Sequence, residues 1–278
     1  MKLFKLIIAL AFLPVFGVHA QIIKLNMPKG TKYEVVTVSK VNSLASVMGQ
    51  EMASSSDITV TENVKVKDTR ATETDLVSTI TKVLANVQAM GQETVYDSEK
   101  KDNDASTAET FGKMKDKEKN MTIDANGKII KQDKDDDAGA TAAIMGMASG
   151  ADGIAFLSNS IIGRDAKPGN TWYDSTKRVE DKATSFTGGN FTVQSVDGGT
   201  AIIAFAGTST LSGTIEQMGQ EMQMTSSSKV TVQYEVDIAT GLIKKSTQTT
   251  DGTMNVEAGG MSIPVTIKST VNVTSKQL

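Results

Sequence analysis

The chain of 278 residues contains no cysteine, and its single histidine, His19, lies in what reads as a removable leader. Lys2 and Lys5 precede the apolar run Leu6–Val18, and Val18-His19-Ala20 is a small-x-small cleavage signal before Gln21. Once residues 1–20 are cut, Ser-His-Asp and Cys-His catalysis are excluded, as is metal binding by imidazole or thiolate. No disulfide can support the mature fold, so its stability has to come from a buried core. With Gln21 at the first mature position there is no cysteine for acylation, which predicts an exported protein, periplasmic or secreted and not lipid-anchored. No later stretch reaches the roughly 20 apolar residues of a spanning helix, so no transmembrane helix is expected.

Other scarcities narrow the function. Aromatic residues are 5% of the chain and Trp172 is the only tryptophan, too few flat faces for a sugar cleft. The leader carries two of the 29 basic residues, leaving 27 against 32 acidic ones, a net of −5. That balance, with interspersed signs, gives no field for a phosphate backbone, so nucleic acid is not an expected partner. Asp133, Asp135 and Asp137 are spaced like the start of a calcium loop. Ala138 and Ile144 stand where such a loop needs glycine and glutamate, so a solvated acidic linker is the reading and no metal is assigned. The Ser98–Lys101 and Ser226–Lys229 spacings lack the companion motifs of a serine acyl enzyme. No catalytic residue and no cofactor is predicted, although facing carboxylates of a hydrolase remain the enzymatic alternative.

What is abundant is alternation. Thr, Ser or a charged residue alternates with Val, Ile or Met through Tyr33–Val41, Ile58–Val66, Thr74–Val87, Phe191–Val196, Ala201–Ala206, Val230–Ile238 and Ile263–Val273. The two-residue period marks strands with one buried and one wet face. Asn126-Gly127, Asp197-Gly198-Gly199 and Thr240-Gly241 supply tight turns between them. The predicted fold class is mainly β, one or two antiparallel meander sheets able to curve into a half-barrel, with a short helical interval. The expected organisation is a signal peptide over 1–20, an N-terminal β segment over 21–132, an acidic then Ala/Gly/Met-rich linker over 133–169, and a C-terminal β segment over 170–278. Helix is expected at Ala138–Leu157, with a helical turn around Ala108–Lys115 where Phe111 and Met114 are three apart.

The phrase Met48-Gly49-Gln50-Glu51-Met52 recurs as Met218-Gly219-Gln220-Glu221-Met222, with a shorter copy at Met90–Glu93, and Met254 and Met261 bracket Gly259-Gly260. Thioethers are flexible and polarizable, suited both to filling irregular gaps and to lining apolar surfaces. Met48, Met52, Met90, Met218, Met222, Met254 and Met261 are therefore the candidate ligand-binding residues, and the expected partner is an apolar, lipid-like ligand or an apolar protein surface. Some of their tips should meet on one rim, near Ala138–Leu157. The alternative is a purely structural or adhesive envelope module in which these methionines are closed core.

Pro168-Gly169-Asn170-Thr171-Trp172, Ile238-Ala239-Thr240-Gly241-Leu242-Ile243, Tyr96-Asp97-Ser98 and the Met-Gly hairpins together resemble an exported family of Bacteroidota known only as a domain of unknown function. The resemblance covers most of the mature chain and implies an envelope protein with no site residues to carry over. In architecture alone, a curved sheet with a short helical interval is similar to the half-barrel lipoprotein and lipid carriers of bacterial envelopes.

Overall fold

The computed structural model describes residues 21–89, 91–133, 154–180, 182–217, 220–258 and 260–278. The alternating pattern becomes twelve strands. The first six are β1 (Lys32–Val47), β2 (Gln50–Thr69), β3 (Glu73–Ala89), β4 (Gln92–Asp97), β5 (Glu118–Asp124) and β6 (Ile129–Gln132). The second six are β7 (Thr171–Glu180), β8 (Ala183–Asp197), β9 (Thr200–Gln217), β10 (Gln220–Asp237), β11 (Ile243–Ala258) and β12 (Met261–Gln277). All belong to one open antiparallel sheet, in the order β6-β5-β3-β2-β1-β12-β11-β10-β9-β8-β7, with β4 beside the upper part of β3. The two β segments are joined by the β1–β12 ladder, from Tyr33 opposite Gln277 to Ala45 opposite Val265. At 20 residues β2 is about 65 Å long, well beyond a typical strand.

The strands alternate in direction, so the hairpin turns fall at two ends, and the β4–α1–β5 connection lies midway along β3. The base holds the Asp124–Lys128, Asp197–Thr200 and Asp237–Ile243 connections, and the upper end holds the tips after β1, β3, β7, β9 and β11. The base turns are built as their sequences predict. Asp124 Oδ1 accepts from the amides of Asn126 and Lys128, at 2.8 and 3.0 Å, and Gly127 takes the positive φ of 79° that the turn requires.

The base is curled around its own chain. Residues 154–166 run as a strap across the lower core face and bury Phe156, Ile161 and Ala166. Phe156 packs on Tyr33 of β1 with ring centroids 5.8 Å apart, and its carbonyl accepts from the Ile243 amide at 3.0 Å. A Cβ on Gly127 would stand 2.8 Å from Ile162 Cδ1, and Trp172 Nε1 of β7 donates to Ser160 O at 2.9 Å. One short stretch thus touches the β5–β6 turn and β7, which lie at opposite ends of the strand order. The sheet is drawn into a curl without its edges pairing. Residues 21–27 pin the strap: the Ile23 amide donates to Arg164 O, the Gly163 amide returns to Ile23 O, and Ile23 and Met27 are buried in the sheet's core clusters. The sequence pattern gave no sign of this base plug, because neither stretch has a helical or strand period.

The expected turn near Ala108–Lys115 is a helix, α1 (Ala105–Gly112). Phe111 and Met114 are buried against Tyr96, Val83 and Ala85, and the Tyr96 and Phe111 rings lie 5.5 Å apart. Most of the helix expected at Ala138–Leu157 lies outside the described residues, and its described end, Ile154–Leu157, is a turn of the strap.

Candidate functional site

Residues directly opposite in neighbouring strands share a face, so the ladders sort the core face into horizontal rows. The lowest row above the strap reads Trp172, Phe191, Phe205, Val232, Gln248, Val271, Ser39, Ile58, Ala85 and Tyr96 from β7 to β4. It is the aromatic and aliphatic floor: Trp172 and Phe191 stack at 5.2 Å, and Phe191 and Phe205 lie 4.8 Å apart. The next two rows are mostly short side chains, among them Gly189, Gly207, Thr250 and Ser56, then Thr187, Ser209, Ser228, Gly252, Ser43 and Ser54, interrupted by Val230, Val41 and Ile267. Their hydroxyls pair across strands, Ser43 with Ser54 at 2.6 Å and Thr187 with Ser209 at 2.9 Å. Above this hydroxyl belt the face turns apolar again, with Leu211, Met254, Val265, Ala45 and Met52 in one row and Met224, Val256 and Ile263 in the next.

From β8 to β2, among the described residues, no charged side chain projects from this face at or above the aromatic floor. The charges stand on the opposite face, where they meet as cross-strand pairs: Lys40–Asp57 at 3.3 Å, Lys268–Asp251 at 3.9 Å, Lys245–Glu235 at 3.7 Å and Lys276–Glu34 at 2.7 Å. Apart from buried Val265 the upper apolar rows are only half-buried, because the strap covers the base and no described element covers them. Where the strap ends, a cavity of about 100 Å³ opens between Leu157, Asp174, Thr187, Phe205, Val232 and Gln248. It is too small for a whole lipid but continuous in position with the belt above it. A wider hollow of about 720 Å³ at the β1–β4 tips is lined largely from the polar face, by Asn42, Gln88, Glu93 and Lys268.

The candidate methionines divide. Met52, Met222, Met254 and Met261 share the upper core face, with Met52 and Met254 in the same row and Met222 and Met261 each opposite Ala258. The first three are half-buried, and Met261 is exposed. Met48 sits in the β1–β2 turn at φ 48° and is 86% exposed, so it is a tip and not a wall. Met90 and Met218 lie outside the described residues. The tips do gather at one end, yet the described part of the Ala138–Leu157 interval packs at the other, because Ile154, Phe156 and Leu157 are the apolar plug of the base. Sequence reasoning missed the floor and belt residues, since Phe205, Thr187 and Gln248 carry no motif. The signal that could have found them is register: hairpin turns fix which residues lie opposite, and rows follow.

One titratable group lies on the core face lower down. Burial pushes the Glu62 carboxyl of β2 up, and the Ser78 hydroxyl that donates to it and nearby Lys119 pull it back only in part.

Residues 161–243, from the strap to the start of β11, match the model of a family of unknown function (DUF6263). No curated protein matches. Among solved structures, the chain is similar to lipovitellin, from a structure of its lipid–protein interactions, at 11% identity and a TM-score of 0.48. That alignment covers 90% of this chain and 25% of lipovitellin, so the chain spans a quarter of its length. An outer membrane channel from Pseudomonas putida F1 aligns over 91% of this chain and 97% of its own, at 11% identity and a TM-score of 0.35.

Proposed function

We propose that this is an exported, non-catalytic binding protein that holds an apolar, lipid-like ligand along its upper core face. The observation that carries this reading is the charge-free, half-covered band from Leu211 to Met52, set against an opposite face that bears the ion pairs. Leaving such a band wet is costly, since each further 100 Å² of apolar surface covered is worth about 2.5 kcal/mol. The cavity above the strap would receive one end of the ligand, the hydroxyl belt its polar or kinked middle, and the methionine rim its remaining length. Adaptable thioethers suit a site that accepts chains of varied shape. The non-catalytic assignment rests on the mature sequence, which lacks histidine and cysteine.

The test is organic extraction and mass spectrometry of the purified protein, together with titration of a dansyl-labelled fatty acid. Met254→Glu should weaken binding at least tenfold, and Thr253→Glu, on the opposite face, should leave it unchanged. A protein that carries no lipid and binds no probe would be a structural envelope module. Export is tested separately by the N-terminal mass of the protein outside the cytoplasm, which should begin at Gln21.

A further inference from the structure

The two sides of the sheet end differently. The β4–β6 side is broken into short strands with α1 packed beside β4, whereas β7 is a ten-residue strand that, among the described residues, pairs only with β8. Two of its side chains are large and apolar, which is unusual for an exposed edge. Tyr173 is 59% and Val179 70% exposed, both on the outer face, while Asp174 and Arg178 stand on the core face that is otherwise charge-free from β8 to β2. We propose that β7 pairs antiparallel with β7 of a second copy of this chain, about a twofold axis through Thr176.

The register follows from the sequence of the strand. With Thr176 opposite its own copy, Tyr173 faces Val179 on the outer face and Asp174 faces Arg178 on the core face, each pair occurring twice. Both large exposed apolar residues are thereby matched with each other, and both charges meet their opposites. Ser175 faces Lys177, which sets no like charges together. Moving the axis by one residue puts Tyr173 opposite Lys177 in one direction and past the end of the strand in the other, and either way separates Asp174 from Arg178. The axis at Thr176 is the self-complementary choice, as an isologous interface requires. The outer side of the seam is already stiff. A Cβ on Gly188 would stand 2.6 Å from Tyr173 Oη and 2.8 Å from Phe186 Cζ, so both rings lie down over that glycine. Asp174 Oδ1 accepts from the Ser175 amide at 2.8 Å, and its Oδ2 has a long contact to Arg164, at 3.9 Å, which leaves room for a closer cation on that oxygen. Joined this way, two sheets become one of 24 strands, and an edge that would otherwise template uncontrolled pairing is closed.

Light scattering behind size exclusion, on the full chain over a range of concentrations, should show a mass of two chains. Arg178→Asp should shift the dimer toward monomer by at least tenfold in dissociation constant, and adding Asp174→Arg should restore it. The chain has no cysteine of its own. Thr176→Cys should therefore form a symmetric disulfide dimer on oxidation, while Ser175→Cys, whose copy lies diagonally more than about 7 Å away, should not. A monomer at every concentration would overturn the proposal and make Asp174, Lys177 and Arg178 edge protection. A dimer indifferent to Arg178→Asp and not trapped by Thr176→Cys would overturn it equally, by placing the interface elsewhere. Circular dichroism of each variant separates loss of pairing from loss of fold.

Discussion

Removing the Phe156 side chain should unlock the base of the sheet. Phe156 is fully buried, packs on Tyr33, and belongs to the cluster that joins β1, β2, β3, β5 and β12 to the strap. Phe156→Ala removes the transfer energy of the ring and leaves a void bounded by Val35, Val66 and Val273, which sit on fixed strands and cannot all move inward. Buried Phe→Ala changes of this kind cost about 3–5 kcal/mol. Against a total stability on the order of 5–15 kcal/mol that is a large fraction. With a urea slope of roughly 3 kcal/mol/M for a chain of this size, the midpoint should fall by about 1–1.7 M. The assay is urea unfolding followed by circular dichroism and by Trp172 emission. Trp172 reports on the strap directly, because its indole N–H donates to Ser160 O and Arg164 lies over its ring at 5.4 Å. The variant should therefore show red-shifted emission before the strands melt. Phe186→Ala, on the outer face, is the control and should cost about 1 kcal/mol. A loss below about 1 kcal/mol for Phe156→Ala, or unfolding in which Trp172 and strand signals stay superimposed at the wild-type midpoint, would refute the strap as the element that curls the sheet.

Glu62 gives a pH prediction. Its carboxyl is raised above 4.5 by burial, so over the window from 4.5 to the raised value the folded chain holds a proton that the unfolded chain has released. Stability then falls as pH climbs through that window and stays lower above it. Glu62→Gln should raise the urea midpoint at pH 8 and flatten its dependence on pH; equal midpoints for both proteins at pH 8 would count against a buried carboxylate there. Gly207→Ala should destabilise by about 1–3 kcal/mol, since a Cβ there would meet Gly188 O and stand 2.8 Å from Gly189 Cα, and a thermal melt within one degree of wild type would contradict that close approach.

The alternation of Val and Ile with Thr, Ser and charge was enough to assign mainly β structure and antiparallel hairpins, because a two-residue period places one set of side chains on each face wherever the strand lies. Phe111 and Met114, three apart, were likewise enough to mark the short helix. The turn glycines were legible for the same local reason: Gly127, Gly199 and Gly241 sit where φ is positive, and few other residues adopt that backbone cheaply. The candidate site was legible only in part. The repeated phrase singled out Met52 and Met222, and the Gly259-Gly260 tip singled out Met254 and Met261, but neither signal could distinguish a residue of the core face from a tip such as Met48.

What tertiary structure decided is everything that depends on residues far apart in the chain. That Ser39, opposite Val271, belongs to one row with Phe191 and Phe205 is a matter of register across the β1–β12 ladder, and nothing within either segment specifies it. The base plug came from two stretches without periodicity, residues 21–27 and 154–166, whose apolar side chains find their partners only after the sheet exists to receive them. Local pattern fixes which way a side chain points from its own strand. Which strand lies opposite, and what the shared face is left to cover, is settled by long-range pairing.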